Sequence, residues 1–516
     1  MSKSEFMKQR CLPRFSRYSA SNSATSSNMP SSIVCRLIAN GGWIHTLPEP
    51  ITVANTICDY LRKGLNWDIL TRRFASVELS NSIVNQVLLE LKEPVDAKRA
   101  LGFFHWSARQ KHVQHDISNY CVAIHILIRA KLIRDAQALL ESVLKRDFLG
   151  NSSQFSVVDS LLNSYRITNS IPLVFDTLVQ TYAKLREIDL AFSVCKYLDN
   201  HNFTLSIISY NTLIHVVQKS DQSTLTWKIY EHMIKKRTYP NEKTVRIMID
   251  ALCKEGKLQE YLNMVDRIHG KRCLPAVIVN TSLVFRILEE GRVEEGIILL
   301  KRMLQKNMIL DTISYSLIVY ARVKLGSIDS AQEVYEEMLN RGFHANPFLC
   351  TLFIEAHCKE GKVEDAIRLE QEMVDMGLKP YGETYDHLIV GCSKSGRLEE
   401  SIKFFDKMME MGYLPGCSAF NEIVGKLCET GDMDQANEML TKILDNGFTP
   451  NETTFCRLIA GYAGVGKAQE VRKLYYEMEY RSLSPGSIVS ASSISSLCRN
   501  ERLNEAKIFI TSMKDR

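Results

Sequence analysis

The sequence contains none of the short motifs on which the common catalytic and metal-binding chemistries depend. No pair of its 14 cysteines has the C-x-x-C spacing, and none of its 12 histidines begins an H-x-E motif. A phosphate-binding loop of the form G-x-x-x-x-G-K-[ST] is also absent. These absences argue against a zinc ribbon, a dithiol redox site, a zinc-dependent deaminase and a nucleotide hydrolase.

Long apolar runs and a large excess of one charge are lacking as well. No stretch approaches 18 consecutive apolar residues, so the sequence predicts no membrane-spanning helix. The 516 residues include 64 basic and 59 acidic side chains, a formal charge of +5 that does not by itself indicate a nucleic-acid-binding protein. Hydrophobic residues make up 45% of the chain, which excludes wholesale disorder.

Residues 1–50 differ in composition from the rest of the chain. They hold six basic residues and two acids, with ten serines in the first 32 positions, a composition typical of an organellar transit peptide. Arg10, Arg14 and Arg17 would share one helix face, although Pro13 interrupts that helix. We expect mitochondrial targeting, with the plastid as the alternative destination and an untargeted disordered leader as the alternative interpretation. Removing these residues from the totals leaves 58 basic and 57 acidic side chains.

A period of 35 residues runs through the chain. Methionine, proline and small residues recur at this spacing, and glycine shows it most clearly. Seven glycines follow one another at intervals of 35, namely Gly256, Gly291, Gly326, Gly361, Gly396, Gly431 and Gly466. A fixed period of this length indicates a repeat architecture.

Residues 347–381 show what one unit encodes. An apolar segment of helical length ends near Gly361, which suits a left-handed helix C-cap. A second helix with an apolar stripe follows, Ala366 lets the two helices approach closely, and Pro380 ends the unit. Because one helical hairpin cannot bury both of its faces, the units must stack. The predicted fold is all-α, a superhelical solenoid of stacked helix-turn-helix repeats of 35 residues.

The period also predicts the organisation of the chain. After the leader 1–50, residues 51–81 form a helical lead-in and residues 82–171 form degenerate repeats, in which 152–171 is out of phase. Residues 172–516 hold nine full repeats and a partial one. The full units begin at residues 172, 207, 242, 277, 312, 347, 382, 417 and 452, and the partial unit begins at 487.

Four cysteines share the period. Cys253, Cys358, Cys428 and Cys498 lie at separations that are multiples of 35. We interpret them as buried thiols that recur at one structural position, rather than as metal ligands.

The amino-acid sequence of the repeats resembles that of the pentatricopeptide repeat family. Ser209–Ile214 resembles the opening of the family's first helix, Lys254–Lys257 and Lys359–Lys362 resemble its turn between helices, and Gly377–Pro380 resembles its exit. Since all units have one length, the chain is similar to the P subclass. The resemblance implies binding of single-stranded RNA with one base per repeat.

In that family the fifth and last residues of a repeat contact the base edge, and the second residue packs on the base. On this basis Ile208, Ile278 and Ile313 are candidates for packing on a base. The candidate base-reading pairs are Asn211 with Asn241 and Asn421 with Asn451 as pyrimidine readers, Thr281 with Asp311 as a guanine reader, and Ser316 with Asn346 as an adenine reader. Amides and hydroxyls can donate or accept hydrogen bonds, whereas Asp only accepts.

Not every unit fits this pattern, and the last residues have an alternative role. Asp176 with Ser206 is a marginal pair. Four further units have no recognised pair: Arg246 with Ala276, Thr351 with Tyr381, Asp386 with Gly416, and Cys456 with Gly486. The last residues Asn241, Asp311, Asn346 and Asn451 each precede a first helix, where Asn and Asp are favoured as N-caps.

A basic residue recurs at the thirteenth position of the repeat. Helical geometry places this position about 20° from the second position, on the same face. The residues are Arg129, Lys184, Lys219, Lys254, Lys324, Lys359 and Lys394. Stacking would align them into a stripe that can follow an RNA backbone. The alternative is that they complement the dipole at the helix C-terminus.

Together these features predict a non-catalytic, sequence-selective protein that binds single-stranded organellar RNA. It would affect RNA processing, stability, splicing or translation, with no cofactor, metal or small-molecule substrate. Other RNA-processing or ribosomal proteins are possible partners. Because the last repeat extends to Arg516, we expect no appended catalytic domain. The alternative function is a protein-binding helical scaffold or a structural subunit of an organellar ribonucleoprotein such as the mitochondrial ribosome.

Overall fold

The computed structural model describes residues 50–64, 66–147, 155–481 and 486–499, together with positions 483, 503, 506, 507 and 510. The predicted leader, apart from its last residue, lies outside the described residues, as does most of the chain after residue 499. Across the described ranges the chain consists of α-helices and one short 3-10 helix at Pro94–Asp96, without a β-strand.

Most of the helices alternate in pairs. The first helices of the units are α3 (Asn81–Glu90), α5 (Ile117–Arg129), α8 (Leu173–Lys184), α10 (Ile207–Lys219), α12 (Glu242–Lys254), α14 (Pro275–Glu289), α16 (Asp311–Lys324), α18 (Pro347–Lys359), α20 (Gly382–Lys394), α22 (Cys417–Thr430), α24 (Glu452–Val465) and α26 (Ser487–Arg499).

The second helices follow them after short turns. They are α4 (Ala97–Gln110), α6 (Ile133–Asp147), α9 (Ile188–Asn200), α11 (Ser223–Lys235), α13 (Leu258–His269), α15 (Val293–Gln305), α17 (Ile328–Asn340), α19 (Val363–Asp375), α21 (Leu398–Glu410), α23 (Met433–Leu444) and α25 (Ala468–Tyr480). The remaining helices are α1 (Pro50–Arg62), α2 (Trp67–Arg73) and α7 (Ser156–Ile167).

The hairpins stack in sequence order, which confirms the predicted all-α solenoid. From α8 to α26, each first helix packs against the first helix of the next unit, and almost every second helix packs against its own first helix. Small residues hold the two helices of a hairpin close together. Ala331 and Ala366 are fully buried, and a Cβ on Gly296 would lie only 2.7 Å from Leu288 Cδ2.

The turn between the two helices has one backbone conformation in the unit beginning at 117 and in the units beginning at 172 to 452. Gly361 has a φ of 78°, in the left-handed region that favours glycine. The three earlier units reach the same region without glycine, because Lys131, Arg186 and Asp221 have φ values of 61°, 63° and 56°. The turn is therefore a property of the hairpin, and the glycine repeat marks only the units in which it is least strained.

The regular stacking is interrupted at α7, a helix that belongs to neither the preceding nor the following hairpin. Helix α7 packs against α5 and α6, and α8 also packs against α5 and α6. His125 of α5 is buried at this junction, where its Nε2 lies 3.0 Å from the Leu161 carbonyl oxygen and its Nδ1 lies 2.6 Å from Ser170 Oγ. Burial lowers the pKa of His125 to about 4.

Helix α13 does not occupy the position of a second helix. It packs against the first helices α14, α16 and α18, which belong to the next three units. Its neighbours among the second helices, α11 and α15, contact each other directly. Arg292 Nη1 of the α15 segment donates to Glu231 Oε2 at 3.2 Å, and Arg302 Nη1 donates to the Lys235 carbonyl oxygen at 3.1 Å. We call the row formed by the other second helices the outer row. In this row α11 and α15 are direct neighbours, and α13 does not lie between them.

Opposite charges stabilise the contact between α11 and α15. Burial alone would raise the pKa of Glu231, but hydrogen bonds from Arg292 and Lys235 hold it below its ordinary value. Adjacent second helices elsewhere in the array are joined in the same way, for example by Lys407 Nζ and Glu370 Oε1 at 2.9 Å.

The interpretation of the four periodic cysteines as buried thiols is wrong for two of them. Cys253 and Cys498 are exposed, whereas Cys358 and Cys428 are half-buried. Burial raises the pKa of Cys358 to about 12 and that of Cys428 to about 11. Each of these two thiols packs where the next unit has a glycine on its first helix, since a Cβ on Gly391 would lie 2.6 Å from Cys358 Sγ.

No described helix is long and apolar enough to cross a membrane. Within the same described ranges, no group of three or more His, Cys, Asp and Glu side chains is arranged to hold a metal ion.

Candidate nucleic-acid interface

The fifth and last residues of a unit meet at the border with the next unit. We call the surface formed by the second, fifth and last residues of successive units the reading face. Asn211 Nδ2 donates to Asn241 Oδ1 at 3.2 Å, and Asn211 Oδ1 accepts from Thr244 Oγ1 at 2.6 Å. Asn241 caps α12 by accepting from the Thr244 amide at 3.0 Å. Asn211 is buried and Asn241 is exposed, so only the last residue of this pair is open to solvent.

The same junction recurs six units further along the array. Asn421 Nδ2 donates to Asn451 Oδ1 at 3.2 Å, and Thr454 Oγ1 lies 2.7 Å from Asn421 Oδ1. Asn451 caps α24 through the Thr454 amide at 3.0 Å. Asn421 is buried and Asn451 is exposed, as in the first junction. The two candidate pyrimidine readers therefore have nearly identical geometry.

The candidate adenine reader is also assembled, but with both members buried. Asn346 Nδ2 donates to Ser316 Oγ at 3.1 Å, while Asn346 Oδ1 accepts from the Leu349 amide at 3.0 Å. Ser316 Oγ in turn donates to the Thr312 carbonyl oxygen at 2.9 Å. Asn346 is only 5% exposed, so its hydrogen-bonding groups are largely engaged within the protein.

The candidate guanine reader is not joined by a hydrogen bond. Thr281 Oγ1 is buried without a partner, and so is Ser314 Oγ, which occupies the third position of the next unit. Asp311 is exposed. The prediction that Asp311 would cap α16 is wrong, because the N-cap is Leu310 and Asp311 is the first helical residue. At this border the short hydroxyl side chains do not span the gap that Asn211 and Asn421 bridge in their units.

The third residue of the following unit was not predicted as part of this network. Its hydroxyl contacts the fifth residue of the preceding unit at four borders, through Ser209, Thr244, Thr384 and Thr454. These four positions share the 35-residue register, so a small hydroxyl at this spacing was the available signal.

Two units without a recognised base-reading pair still form this border contact. Asp386 Oδ1 accepts from the Gly416 amide at 2.9 Å, and Thr351 Oγ1 lies 2.7 Å from Thr384 Oγ1. Burial raises the pKa of the Asp386 carboxyl group, and the hydrogen bond from Gly416 partly opposes this shift. The fifth residue therefore joins consecutive units whether or not its chemistry suits base reading.

The three apolar second-position candidates do not share one environment. Ile208 is 66% exposed and is free to pack on a base, whereas Ile278 is 5% exposed and Ile313 is fully buried. The expectation that Ile278 and Ile313 offer a packing surface is wrong for this conformation. Both lie on helices, α14 and α16, against which the displaced helix α13 packs.

The thirteenth-position residues lie at the ends of the first helices, and their environments differ. Arg129 is mostly buried, and its Nη1 donates to the carbonyl oxygens of Lys92 at 2.8 Å and Thr168 at 3.1 Å. Lys254 Nζ likewise donates to the Gln218 carbonyl oxygen, at 3.0 Å. These two residues therefore join neighbouring units.

The other five of these basic residues, like Lys254, are exposed. Lys184 pairs with Glu141, and Lys359 pairs with Glu355 of its own helix. Lys324 Nζ lies 5.3 Å from the ring centre of Tyr320. Lys219 and Lys394 are exposed at the ends of α10 and α20, without an ion pair to any described residue. The stripe is thus partly neutralised by acids, and its most available charges are Lys219 and Lys394.

Comparison with known proteins identifies the repeats. A model of the PPR repeat matches residues 243–273, 313–343, 348–378, 383–413 and 453–483, and a PPR repeat family model matches 205–254. Each matched PPR repeat begins within two residues of the start of a first helix.

Two curated relatives come from Arabidopsis thaliana. The chain is 48% identical over 230 residues to pentatricopeptide repeat-containing protein At1g66345, mitochondrial, an alignment that covers 44% of this chain and 42% of the relative. It is 28% identical over 222 residues to pentatricopeptide repeat-containing protein At1g11710, mitochondrial, covering 42% of this chain and 33% of the relative. The chain therefore spans less than half the length of either relative.

Among solved structures, the crystal structure of the pentatricopeptide repeat protein PPR10 from maize is 16% identical to this chain. The alignment covers 90% of this chain and 79% of PPR10, with a TM-score of 0.38. The matched segments and the 48% identical relative show that this chain carries the repeats of the pentatricopeptide repeat family.

Proposed function

We propose that this protein binds single-stranded RNA along the reading face in an organelle, without catalysing a reaction itself. Each unit whose last residue is exposed would contact one base through that residue. The exposed lysines at the thirteenth position would attract the phosphate backbone. The equal length of the units favours the P subclass. Bound in this way, the protein would alter the processing, stability, splicing or translation of its RNA target.

The observation that carries this proposal is the geometry of Asn241 and Asn451. Each uses its Oδ1 for the helix cap and for the fifth residue, and each is exposed. Among the described residues, the Nδ2 group of neither side chain has a hydrogen-bond partner. A cap that keeps two exposed N–H donors is suited to a pyrimidine edge, which presents carbonyl acceptors.

The location of the protein is proposed from its relatives and from its leader. At1g66345 and At1g11710 are both named mitochondrial. The basic, serine-rich composition of residues 1–50 agrees with import into an organelle. We therefore favour the mitochondrion over the plastid, and mitochondrial single-stranded RNA as the partner.

Substitution of Asn451 separates base reading from helix capping. Asn451→Asp keeps an oxygen that can accept from the Thr454 amide and from Asn421 Nδ2, but it removes the N–H donors of the amide. We expect the full chain carrying this change to select a different base at one position of its preferred motif from a random single-stranded RNA pool. One specific base contact contributes about 1–3 kcal/mol of discrimination.

The matched control is Asn340→Asp, which makes the same chemical change at an exposed site on the second helix α17. This variant should select the wild-type motif. If Asn451→Asp also selects the wild-type motif, Asn451 acts only as a cap and the proposed reading role is wrong.

A protein-binding scaffold, or a subunit of a ribonucleoprotein, is the second candidate function. It is favoured by the burial of the fifth residues Asn211, Thr281, Ser316 and Asn421, which gives them a role in joining units. A scaffold would need that role but not the exposed amides. Failure of the full chain to bind any single-stranded RNA pool would favour this second function.

A further inference from the structure

The displaced helix α13 lies against the reading face of the units that follow it. Its Arg267 side chain stacks on Tyr381, with the guanidinium carbon 4.2 Å from the ring centre, and Arg267 Nη1 forms an ion pair with Glu383 Oε2 at 2.9 Å. Tyr381 is the last residue of the unit beginning at 347, and Glu383 is the second residue of the next unit. The ion pair joins residues that are 116 positions apart in the sequence.

All three reading positions of the unit beginning at 347 face this helix. A pocket of about 480 Å³ is lined on one side by its second, fifth and last residues, Phe348, Thr351 and Tyr381. Residues of α13, including Asn263 and Arg267, line the other side. An RNA base bound by this unit would have to enter between these residues and α13, where Arg267 already stacks on Tyr381.

The apolar side of α13 is buried in this position. Tyr261, Met264, Val265 and Ile268 form a stripe at helical spacing, and each is less than 10% exposed. At the end of the helix, His269 Nδ1 lies 3.0 Å from Thr312 Oγ1, at the start of the unit beginning at 312. The helix is therefore docked over several units, with apolar, aromatic and charged contacts.

We propose that α13 is a built-in competitor for RNA, which closes the reading face of the units beginning at 277, 312 and 347. This inference rests on the proposed function, since it assigns a regulatory state to the same surface. When α13 is docked, RNA has access only to the other units. When α13 leaves, Tyr381 and Phe348 become available to stack on bases.

The contact between α11 and α15 limits where α13 can move when it leaves the reading face. Because Glu231 and Lys235 of α11 already bind Arg292 and Glu295 of the α15 segment, α13 cannot return to the outer row without separating them. RNA that binds at the closed units therefore has to displace α13 into solvent, because the row of second helices has no vacant position for it.

A charge exchange between Arg267 and Glu383 tests the proposal. Arg267→Glu and Glu383→Arg each place like charges together. Each variant should therefore weaken the docking of α13 and increase the fraction of molecules in which α13 is undocked. The apparent affinity for RNA rises in proportion to that fraction, and we expect binding of a random single-stranded RNA pool to tighten roughly fivefold. The double variant R267E/E383R restores opposite charges and should return affinity toward the wild-type value.

The two single variants distinguish release of α13 from direct attraction of RNA. Arg267→Glu adds negative charge and would weaken RNA binding if only net charge mattered, whereas release predicts tighter binding. The control Lys403→Glu makes a similar charge change on an exposed residue of the second helix α21 and should not tighten binding. Amide hydrogen exchange of residues 258–269 in the full chain measures the release independently of RNA.

The outcomes separate this inference from the proposed function. Faster exchange in α13 together with tighter RNA binding supports the competitor role. Faster exchange with unchanged or weaker RNA binding overturns that role while the proposed function stands. Unchanged exchange in both single variants also overturns it, because the ion pair then does not hold the helix. If neither the wild type nor any variant binds RNA, both proposals are wrong.

Discussion

At the scale of single residues, the border between two units is a small polar network. The sequence predicted which fifth and last residues belong together, because the 35-residue register pairs them at a constant separation. It did not predict the hydroxyl at the third position of the next unit, such as Thr244, since that contact exists only once the units stack. The network joins the buried Asn211 to the exposed Asn241, so one junction can stabilise the stacking and carry the proposed base recognition.

Thr281 and Thr351 occupy the same position in different units, and removal of their hydroxyls should affect the free energy of unfolding differently. Thr351 Oγ1 is hydrogen-bonded to Thr384, so Thr351→Val should lower the free energy of unfolding by about 1–3 kcal/mol. Thr281 Oγ1 is buried without a partner, so Thr281→Val should leave this free energy unchanged or raise it. Amide protection in the adjoining first helices, measured by hydrogen exchange, would show the two effects.

These two variants serve as controls for each other because the same atoms change in both. Equal losses of protection would mean that Thr281 has a hydrogen-bond partner in solution, such as a water molecule. That result would contradict its assignment as an unsatisfied group.

At the scale of helices, the periodic glycines predicted the hairpins but not all of their turns. Arg186 and Asp221 adopt the left-handed conformation that the glycine pattern marks elsewhere, because packing of the two helices imposes it. The position of α13 could not be predicted either. Its apolar stripe has the same spacing as that of any second helix, and this stripe identifies a buried face without specifying which helices cover it.

The junction around α7 should depend on pH through His125. The pKa of this side chain is about 4 in the folded chain, compared with an ordinary value of about 6.5. Between these values the unfolded chain binds more protons than the folded chain, so the free energy of unfolding falls as the pH is lowered from 6.5 to 4. The slope is at most about 1.4 kcal/mol per pH unit, and it levels off below pH 4.

Protection factors of the amides in α5, measured across this range, would report the effect. His125→Gln removes the titrating group and should remove most of the slope, whereas His201→Gln changes an exposed side chain and should keep it. A slope that persists in His125→Gln would show that another group controls the junction.

At the scale of the whole molecule, charge is distributed rather than concentrated. Outside residues 1–50 the chain carries 58 basic and 57 acidic side chains, so any attraction of RNA has to come from local arrangement. The sequence predicted seven basic residues along one face. Three exposed members, Lys219, Lys324 and Lys394, have no ion pair to a described residue, and Lys324 lies against the ring of Tyr320. Acids and carbonyl oxygens engage the others.

The dependence of RNA binding on salt tests the central claim most directly. The full chain should bind a random single-stranded RNA pool with an affinity that falls linearly as salt rises on logarithmic axes. The double variant K219A/K394A should reduce the slope by about 1.4, because each phosphate contact on a single strand contributes about 0.7. Lys403→Ala, on the second helix α21, should leave the slope unchanged. Absence of salt-sensitive binding by the wild-type chain would contradict the account.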